Sequence, residues 1–380
     1  MKKIYLDYNA TTPVAPSVLE LMTPFFAQHH GNPSSAHTHG RACAEVIDDS
    51  RGKLSTVIGC NADEIIFTGG GTEANNFALK GVFFNSPPTI AGHLIISSIE
   101  HPAITAPARF LESLGVELTI VDCDKNGVVH PDSVAAAIRS DTALVSIMHS
   151  NNEVGTIQPI SEISRICREK NILVHTDASQ SVGKLPINVD SLGVDMLTIA
   201  GHKFYGPKGV GALYLRSGVR LQQLFHGAGH ERGMRAGTEN TPGVVGLAAA
   251  ARLSGQAVDD SRARLSDMRN QLENSLRANV EDLVIHGEDV ERLPNTSSVS
   301  FPGVTGQEIL NRCPEISAST GSACHSHGGV SSTLGAMNVP LDVQRGTIRL
   351  SLGWHTTQED IERASSLLVD AWEQLHQPAG

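Results

Sequence analysis

The sequence has little positive charge and no long apolar segment. It carries 29 Lys and Arg residues against 40 Asp and Glu residues, a formal net charge of −11 over 380 residues. Proteins that bind nucleic acid without sequence preference need a basic surface, so we expect no direct nucleic-acid partner. The longest apolar run, residues 243–251, is far shorter than the ~20 residues that cross a bilayer. We therefore expect no membrane-spanning segment.

Cysteine is also sparse. The chain has six cysteines and no pair with C-x-x-C spacing, which argues against a disulfide framework and against a zinc site. The first residues, MKKIYLDYNATTP, lack the apolar core of a signal peptide. These absences predict a cytoplasmic protein with reduced thiols and no bound metal. Hydrophobic residues make up 40% of the chain and charged residues 18%, which is enough apolar material for a folded core.

Short apolar runs alternate with longer segments of helical spacing between about residues 60 and 215. Continuous hydrophobic strands separated by helices are typical of a sheet that is buried on both faces. The sequence therefore predicts an α/β fold with a largely parallel sheet, whose strands are EIIFTG (64–69), HLIISS (93–98), ALVSIM (143–148), ILVHTD (172–177), MLTIAG (196–201) and GALYL (211–215).

The pattern changes after about residue 258. A polar, helix-favouring stretch (259–279) leads into the short strand-like segments LVIHG, SSVSF, ISAST and TIRLSL, and an amphipathic segment follows at 358–375. This part of the sequence predicts a second, smaller α+β domain.

Reactive side chains follow the predicted strands. His101 follows HLIISS, Asn152 follows ALVSIM, Asp177 ends ILVHTD and Lys203 follows MLTIAG. Taken singly, each has an ordinary explanation: a histidine satisfied in the core, an aspartate that caps a helix or a lysine in solvent. Ligands of open α/β sheets bind beyond the carboxyl ends of the strands, so we expect these side chains to meet at one edge.

The turn GHKFYGPKG places Lys203 between two apolar runs. A lysine at such a position can form a Schiff base with a carbonyl cofactor. The glycines at 69–71 precede a predicted helix and can let backbone N–H groups approach a phosphate, although such turns are common and this one is not a Walker A loop. An enzyme that uses pyridoxal 5'-phosphate (PLP) also needs an acidic partner for the pyridinium nitrogen, which Asp177 can supply. Together these features favour PLP.

Segments of recognisable sequence run nearly from end to end: YLDYNATTP, GNPSS, FTGGGTEANN, EHPA, NNEVG, HTDASQSVGK, GHKFYGPKGVGALY, RAGTENTPG, RLPNTSS, TGSAC and TIRLSLG. In this order they closely resemble the cysteine desulfurases of the NifS/IscS type, in the class V aminotransferase family of fold-type I PLP enzymes. The resemblance implies a large PLP-binding domain (15–258) with a mainly parallel seven-stranded sheet flanked by helices. It implies a small domain formed by residues 1–14 and 259–380.

The resemblance also implies roles around the cofactor ring. Lys203 would hold PLP as a Schiff base and later move protons at the substrate α-carbon, and Asp177 would pair with the pyridinium N–H. Gln180 and Asn152 would hydrogen-bond on the phenolic-oxygen side, with Asn152 also near the substrate carboxylate. His101 would lie over the ring as a proton carrier, because an ordinary histidine pKa of about 6.5 suits proton transfer near neutrality.

The phosphate and the substrate carboxylate have their own implied partners. Gly71, Thr72 and His202 would bind the phosphate, and Thr238 would reach the phosphate of the neighbouring subunit in a homodimer. Arg349 would bind the carboxylate of the amino acid through two hydrogen bonds. One position departs from the family, which often has a serine where this chain has Ala200. The phosphate site then lacks one hydroxyl ligand.

Cys324, in the segment TGSACHSHGG, matches the nucleophilic cysteine of the family. By resemblance it attacks the substrate sulfur and carries it as a persulfide, and His325 and His327 can lower its thiol pKa. Two histidines and one thiol on a glycine-rich segment are an incomplete zinc site. We interpret Cys43, Cys60, Cys123, Cys167 and Cys313 as buried small hydrophobic residues.

The sequence leaves several functions open. The leading one is PLP-dependent removal of sulfur from L-cysteine, which gives L-alanine and a persulfide for an acceptor such as an iron–sulfur scaffold or a thiolation protein. The alternatives are a selenocysteine lyase acting on L-selenocysteine, an aminotransferase of the same family, and a sulfur-relay scaffold without turnover. Pro102 after His101 argues against the lyase, Cys324 argues against the aminotransferase, and the intact set of reactive residues argues against the scaffold.

Overall fold

The computed structural model describes residues 3–85, 90–320 and 331–376. Its strands are β1 (Ile4–Tyr5), β2 (Ile65–Thr68), β3 (His93–Ser97), β4 (Glu117–Val121), β5 (Thr142–Ser146), β6 (Leu173–Asp177), β7 (Met196–Ala200), β8 (Gly211–Leu215), β9 (Val284–Ile285), β10 (Thr296–Ser300), β11 (Ile316–Ser317) and β12 (Thr347–Ser351). Its helices are α1 (Pro16–Met22), α2 (Pro24–Ala27), α3 (Thr38–Ile58), α4 (Gly71–Phe84), α5 (Pro102–Ser113), α6 (Pro131–Ala137), α7 (Ile160–Arg168), α8 (Val189–Leu192), α9 (Thr241–Gln256), α10 (Val258–Asn279), α11 (Gly306–Arg312), α12 (Ser332–Ala336), α13 (Leu341–Arg345) and α14 (Gln358–His376).

The main sheet has seven strands in the order β2-β8-β7-β6-β5-β3-β4. The five strands from β7 to β4 are parallel, and β8 is antiparallel to both of its neighbours. Because two antiparallel pairings restore the direction, β2 runs the same way as β7. The predicted α/β fold with a mainly parallel seven-stranded sheet is confirmed.

Both faces of this sheet are covered. Successive residues of a strand point to opposite faces, and on β3 Ile95 belongs to one hydrophobic cluster while Leu94 and Ile96 belong to another. The second cluster includes Phe77 of α4 and Ile104 of α5. Burial on both faces explains why the strands read as unbroken apolar runs.

The strand β4 was not among the predicted strands. It forms one edge of the sheet and pairs only with β3. Glu117 and Ile120 are exposed, and only Val121 is buried. An edge strand with a solvated face lacks the continuous hydrophobic run that revealed the other six.

Two smaller sheets are formed by strands of the C-terminal part of the chain together with the N-terminal strand β1. The strands β12, β10 and β9 form an antiparallel sheet, and β11 pairs with β1 in parallel. Ile4 and Leu6 join a hydrophobic cluster with residues of α10, α11 and α14. The exact domain limits, 1–14 with 259–380 and 15–258, stay predictions.

None of the helices in the described part of the chain has the length and apolar character needed to cross a membrane.

A buried ion pair covers the other edge of the main sheet. Arg51 of α3 donates to both carboxylate oxygens of Glu231, at 2.8 and 2.9 Å, and their side chains are only 7% and 2% exposed. The same two side chains satisfy the outward backbone groups of β2: Arg51 donates to the Ile65 carbonyl, and Glu231 accepts from the Phe67 N–H. Edge strands need such a cover to avoid unpaired backbone groups.

We expect Glu231→Gln to lower the free energy of unfolding by about 3 kcal/mol, because the buried Arg51 loses its bidentate carboxylate and keeps only Asp48, at 3.9 Å, as an ionic partner. Chemical denaturation at a fixed protein concentration measures the change. The matched control is Asp49→Asn, which breaks the exposed Lys53–Asp49 pair and should cost less than about 1 kcal/mol. Equal effects of the two substitutions would contradict the assignment.

Candidate active site

A cavity of about 240 Å³ lies at the carboxyl ends of the parallel strands. Eight of the residues singled out by the sequence line it: Gly71, Thr72, His101, Asn152, Asp177, Gln180, His202 and Lys203. The carboxyl edge of the sheet therefore brings them together, as the residues that follow the predicted strands led us to expect. Residues that the sequence did not single out for the site, including Asn75 and Ser179, line it as well.

Asp177 ends β6, and its carboxylate is held by two donors. Asn75 Nδ2 donates to Oδ2 at 2.7 Å, and the backbone N–H of Ser179 donates to Oδ1 at 2.9 Å. The side chain is buried yet lines the cavity. Asn75 Oδ1 is also buried and has no hydrogen-bond partner within the described ranges. An asparagine on the inner face of α4, four residues after a glycine turn, was the available signal for this role.

Lys203 lies in the turn that follows β7. Its Nζ donates to the carbonyl oxygens of Asn9 and Ala10, at 2.8 and 2.9 Å. The same Asn9 carbonyl oxygen accepts a second hydrogen bond, from Gln180 Nε2, at 2.9 Å. The N-terminal segment thus closes one side of the site, a contribution that only the shared motif YLDYNATTP could have suggested.

Gly71 begins α4, where helix N–H groups point outward and favour an anion. A Cβ added to Gly71 would lie 3.0 Å from Ser179 Oγ and 3.2 Å from Ala200 Cβ, so a larger residue would crowd this wall of the cavity. Gly70, with φ near +147°, adopts a backbone conformation that favours glycine. The glycine turn is therefore shaped for close approach of a ligand to the backbone.

His202 borders the same end of the cavity. Its Nδ1 lies 3.1 Å from Thr11 Oγ1. Burial, and then the charge of Lys203, lower the pKa of His202 to about 4. The ring is neutral at pH 7, and when Thr11 donates to Nδ1 the other nitrogen, Nε2, carries a proton that it can donate to a phosphate.

His101 caps α5, because its Nδ1 accepts from the backbone N–H of Ala103 at 3.0 Å. The neutral ring therefore carries its proton on Nε2. Burial lowers the pKa of His101; Asp177 opposes this shift and Lys203 adds to it. The sequence predicted an ordinary histidine pKa, whereas burial in the structure lowers the pKa of His101.

Two predicted residues of the described ranges, Arg349 and Thr238, do not line this cavity. Arg349 is buried on β12, and it donates to the Asn152 carbonyl at 3.0 Å and to Asp7 Oδ1 at 2.7 Å. It therefore contacts a residue of the wall. Thr238 is exposed. Cys324 lies outside the described residues, as do His325 and His327.

Comparison with known proteins identifies the family. The profile of the family described as aminotransferase class-V matches residues 4–364. The chain belongs to the class-V aminotransferase family. A relative from Dictyoglomus turgidum named cysteine desulfurase IscS is 46% identical over 377 residues, which cover 98% of this chain and 95% of the relative.

Solved structures agree with this family. One described as a NifS-like protein is 36% identical with a TM-score of 0.90, and the match covers 98% of this chain and 99% of that one. Another, described as SspA in complex with cysteine, is 38% identical with a TM-score of 0.82 and covers 92% and 98% of the two chains. The family and fold type predicted from the sequence are confirmed.

Enzymes of this family depend on PLP, so the predicted cofactor is also confirmed. The cavity fits this group in three respects. It presents the amine of Lys203, a carboxylate held in place at Asp177, and a glycine cradle at the N-terminus of α4. These are the donor types that an aldehyde, a pyridinium N–H and a phosphate require.

We expect Ala200→Ser to retain PLP more tightly, because its Cβ lies beside Gly71 and a hydroxyl there adds a donor at the cradle. One hydrogen bond to a charged group contributes ~1.5 kcal/mol, or about tenfold in the dissociation constant, which equilibrium dialysis measures. Ala200→Cys is the control, since it adds similar bulk with only a weak donor. Equal retention by the two variants would refute the hydrogen-bond explanation.

Proposed function

We propose that this chain is a PLP-dependent cysteine desulfurase that converts L-cysteine to L-alanine and holds the sulfur as a persulfide on Cys324. The observation that carries the proposal is the meeting of Lys203, Asp177 and His101 in one cavity at the strand ends. The desulfurase activity itself was predicted from the sequence and agrees with the relative that matches nearly the whole chain.

PLP, when bound, supplies an electron sink for the bonds at the substrate α-carbon. Asp177, whose carboxylate is held by Asn75 and the Ser179 N–H, would accept a hydrogen bond from the pyridinium N–H and favour its protonated form. Lys203 would hold the cofactor covalently and would move the proton at the substrate α-carbon. Gly71, Thr72 and the neutral His202 would bind the phosphate.

A second group of residues would orient the substrate. Arg349 and Asn152 already contact each other through the Asn152 carbonyl, and in our proposal both bind the carboxylate of the amino acid. Gln180 donates to the phenolic oxygen of the cofactor. His101, with its proton on Nε2, exchanges a proton with the substrate as the reaction proceeds.

Cys324 provides the nucleophile in this proposal. Its thiolate attacks the substrate sulfur, a new S–S bond forms, and the carbon–sulfur bond breaks with its electron pair passing to the carbon side. Protonation of that carbon completes L-alanine, and the persulfide remains on the enzyme. The charge balance requires a thiolate, which the two neighbouring histidines favour when protonated.

The two ends of the segment that contains Cys324 support this role. Ser319 exchanges backbone hydrogen bonds with Arg349, and Ser331 Oγ donates to Glu153 Oε2 at 2.5 Å. The described residues on either side of this segment thus contact Arg349 and Glu153, and Glu153 follows Asn152 in the sequence. Arg349 and Asn152 are the residues proposed to bind the substrate.

The other thiols are poor candidates for the nucleophile. Cys43, Cys123, Cys167 and Cys313 are buried, and Cys60 is half-buried. Burial raises the pKa of Cys60 and Cys167 to about 12 and that of Cys313 to about 11. A thiol that stays protonated is a weak nucleophile.

We expect Cys324→Ser to bind PLP and L-cysteine normally but to lose alanine formation by at least about a thousandfold, as removal of a covalent nucleophile does. Single-turnover assays that quantify alanine and persulfide measure the loss. Cys60→Ser, which changes a thiol outside the cavity, should retain wild-type turnover. Undiminished turnover of L-cysteine by Cys324→Ser would exclude the assigned role.

Assays with L-selenocysteine separate the remaining alternative. A wild-type enzyme that converts selenocysteine and ignores cysteine would be a selenocysteine lyase.

We propose that the physiological acceptor is a protein, such as an iron–sulfur scaffold or a thiolation protein, and persulfide transfer to purified candidates tests this. A cytoplasmic location stays a prediction.

A homodimer follows from the role assigned to Thr238. This residue is exposed, as a group that reaches a second subunit must be in the isolated chain. We expect Thr238→Ala to leave the sedimentation coefficient of the dimer unchanged and to weaken PLP binding by about tenfold, since one phosphate hydrogen bond is lost. A fully active monomer in sedimentation at assay concentration would remove the basis for the proposal.

A further inference from the structure

Lys184 is a buried cation that the proposed function does not use. It lies seven residues after Asp177, and only 9% of its surface is exposed. Its Nζ donates to Asn9 Oδ1 at 2.9 Å and to Gln180 Oε1 at 2.8 Å. Burying an ammonium group is costly unless it is paired, so its position calls for an explanation.

Backbone carbonyls fix the orientation of the Asn9 and Gln180 side-chain amides, which accept the two hydrogen bonds from Lys184. Gln180 Nε2 donates to the Asn9 carbonyl, so Gln180 Oε1 must face Lys184. Asn9 Nδ2 donates to the Asn152 carbonyl at 3.3 Å and to Thr296 Oγ1 at 2.8 Å, so Asn9 Oδ1 also faces Lys184. Lys184 is therefore the donor in both bonds, and the bonds cannot be reversed by turning an amide.

The charges around Lys184 are mostly positive. Burial, and then the charges of Lys203 and Arg349, lower the pKa of Lys184 well below its usual value. The other titratable groups nearby are Asp7, which pairs with Arg349, and Tyr8, Tyr205 and Arg262, which line a narrow cleft with both lysines. Within the described ranges no carboxylate forms a hydrogen bond or ion pair with Lys184. The missing negative charge is one that a ligand can bring.

Gln180 connects this cation to the candidate site. The Gln180 amide carries two hydrogens on Nε2, and Asn9 receives one of them. Gln180 also lines the cavity, so that the second hydrogen is available to a ligand. A donor facing the cavity is what the phenolic oxygen of PLP requires, and a nearby cation favours the ionised form of that oxygen.

We propose that Lys184 is a positioning residue, which holds the Gln180 amide with its N–H directed at the phenolic oxygen of PLP and makes that end of the cavity electropositive. The proposal rests on the cofactor role assigned to Gln180 under the proposed function. Lys184 contacts neither PLP nor the substrate, and it acts through the Gln180 amide and through its charge.

The test uses the visible absorbance of PLP bound to the holoenzyme, titrated with pH. Loss of the cation and of the fixed donor both favour the protonated Schiff base, so Lys184→Met should raise the pKa of this absorbance change by about one unit. Lys170→Met removes an exposed lysine as the control and should leave that pKa unchanged. Thermal unfolding of each variant reports separately on any loss of stability.

A double-variant cycle identifies the route. If Lys184 acts through Gln180, the pKa shift of the double variant Lys184→Met/Gln180→Ala should be smaller than the sum of the shifts of the two single variants. The double variant should then exceed Gln180→Ala only by the effect of the lost charge. Lys184→Gln retains a donor without a charge and should give a smaller shift than Lys184→Met, and it serves as the test variant should Lys184→Met not fold. A pKa unchanged in both Lys184 variants, or strictly additive shifts, would overturn the proposal. Absence of the visible band in the wild-type holoenzyme would instead refute the proposed function.

Discussion

The parallel pairing of β3, β5, β6 and β7 is the constraint on which the candidate active site depends. Parallel strands bring their carboxyl ends to one edge, and a reactive residue lies at the end of each of these strands or within six residues after it: His101, Asn152, Asp177 or Lys203. The hydrophobic clusters on both faces hold the strands in register. A slip of one residue would turn each strand's side chains to the opposite face, and the cavity would lose its lining.

The N-terminal segment completes what the sheet cannot provide. Its strand β1 pairs with β11, and Asp7 forms a bridge to Ser351, so the chain reaches the cavity from the C-terminal part of the fold. The Asn9 carbonyl oxygen then accepts hydrogen bonds from Lys203 and Gln180, and the Asn9 side-chain oxygen accepts one from Lys184. The backbone and side-chain oxygens of Asn9 thus accept hydrogen bonds from both lysines of the site. Buried polar groups arranged in this way are stable only when each is satisfied.

The sequence predicted the elements that burial dictates. Six strands were recognised because a strand covered on both faces is mostly apolar along its length, whereas β4, at an edge with a solvated face, lacks such a run. The eight lining residues were found because strand ends, a glycine turn and family motifs mark them. Asn75 sits inside the same motifs, and its position four residues after the glycine turn was a signal that the sequence interpretation did not use. Ser179 contacts Asp177 through its backbone N–H, a group that nearly every residue carries, so its identity gave no signal.

The sequence by itself determined the order of the elements, the family and the chemical groups available, because apolar periodicity and motif identity are local properties of the chain. Only the tertiary structure decided that Asn9 lies 2.8 Å from a lysine 194 residues away, that Arg349 is paired with Asp7, and that Lys184 is buried among amides. Such contacts depend on how the N-terminal segment and β12 meet the residues that follow the strands of the large sheet. Their physical reason is long-range burial, which forces polar groups from distant segments to satisfy one another where water is excluded.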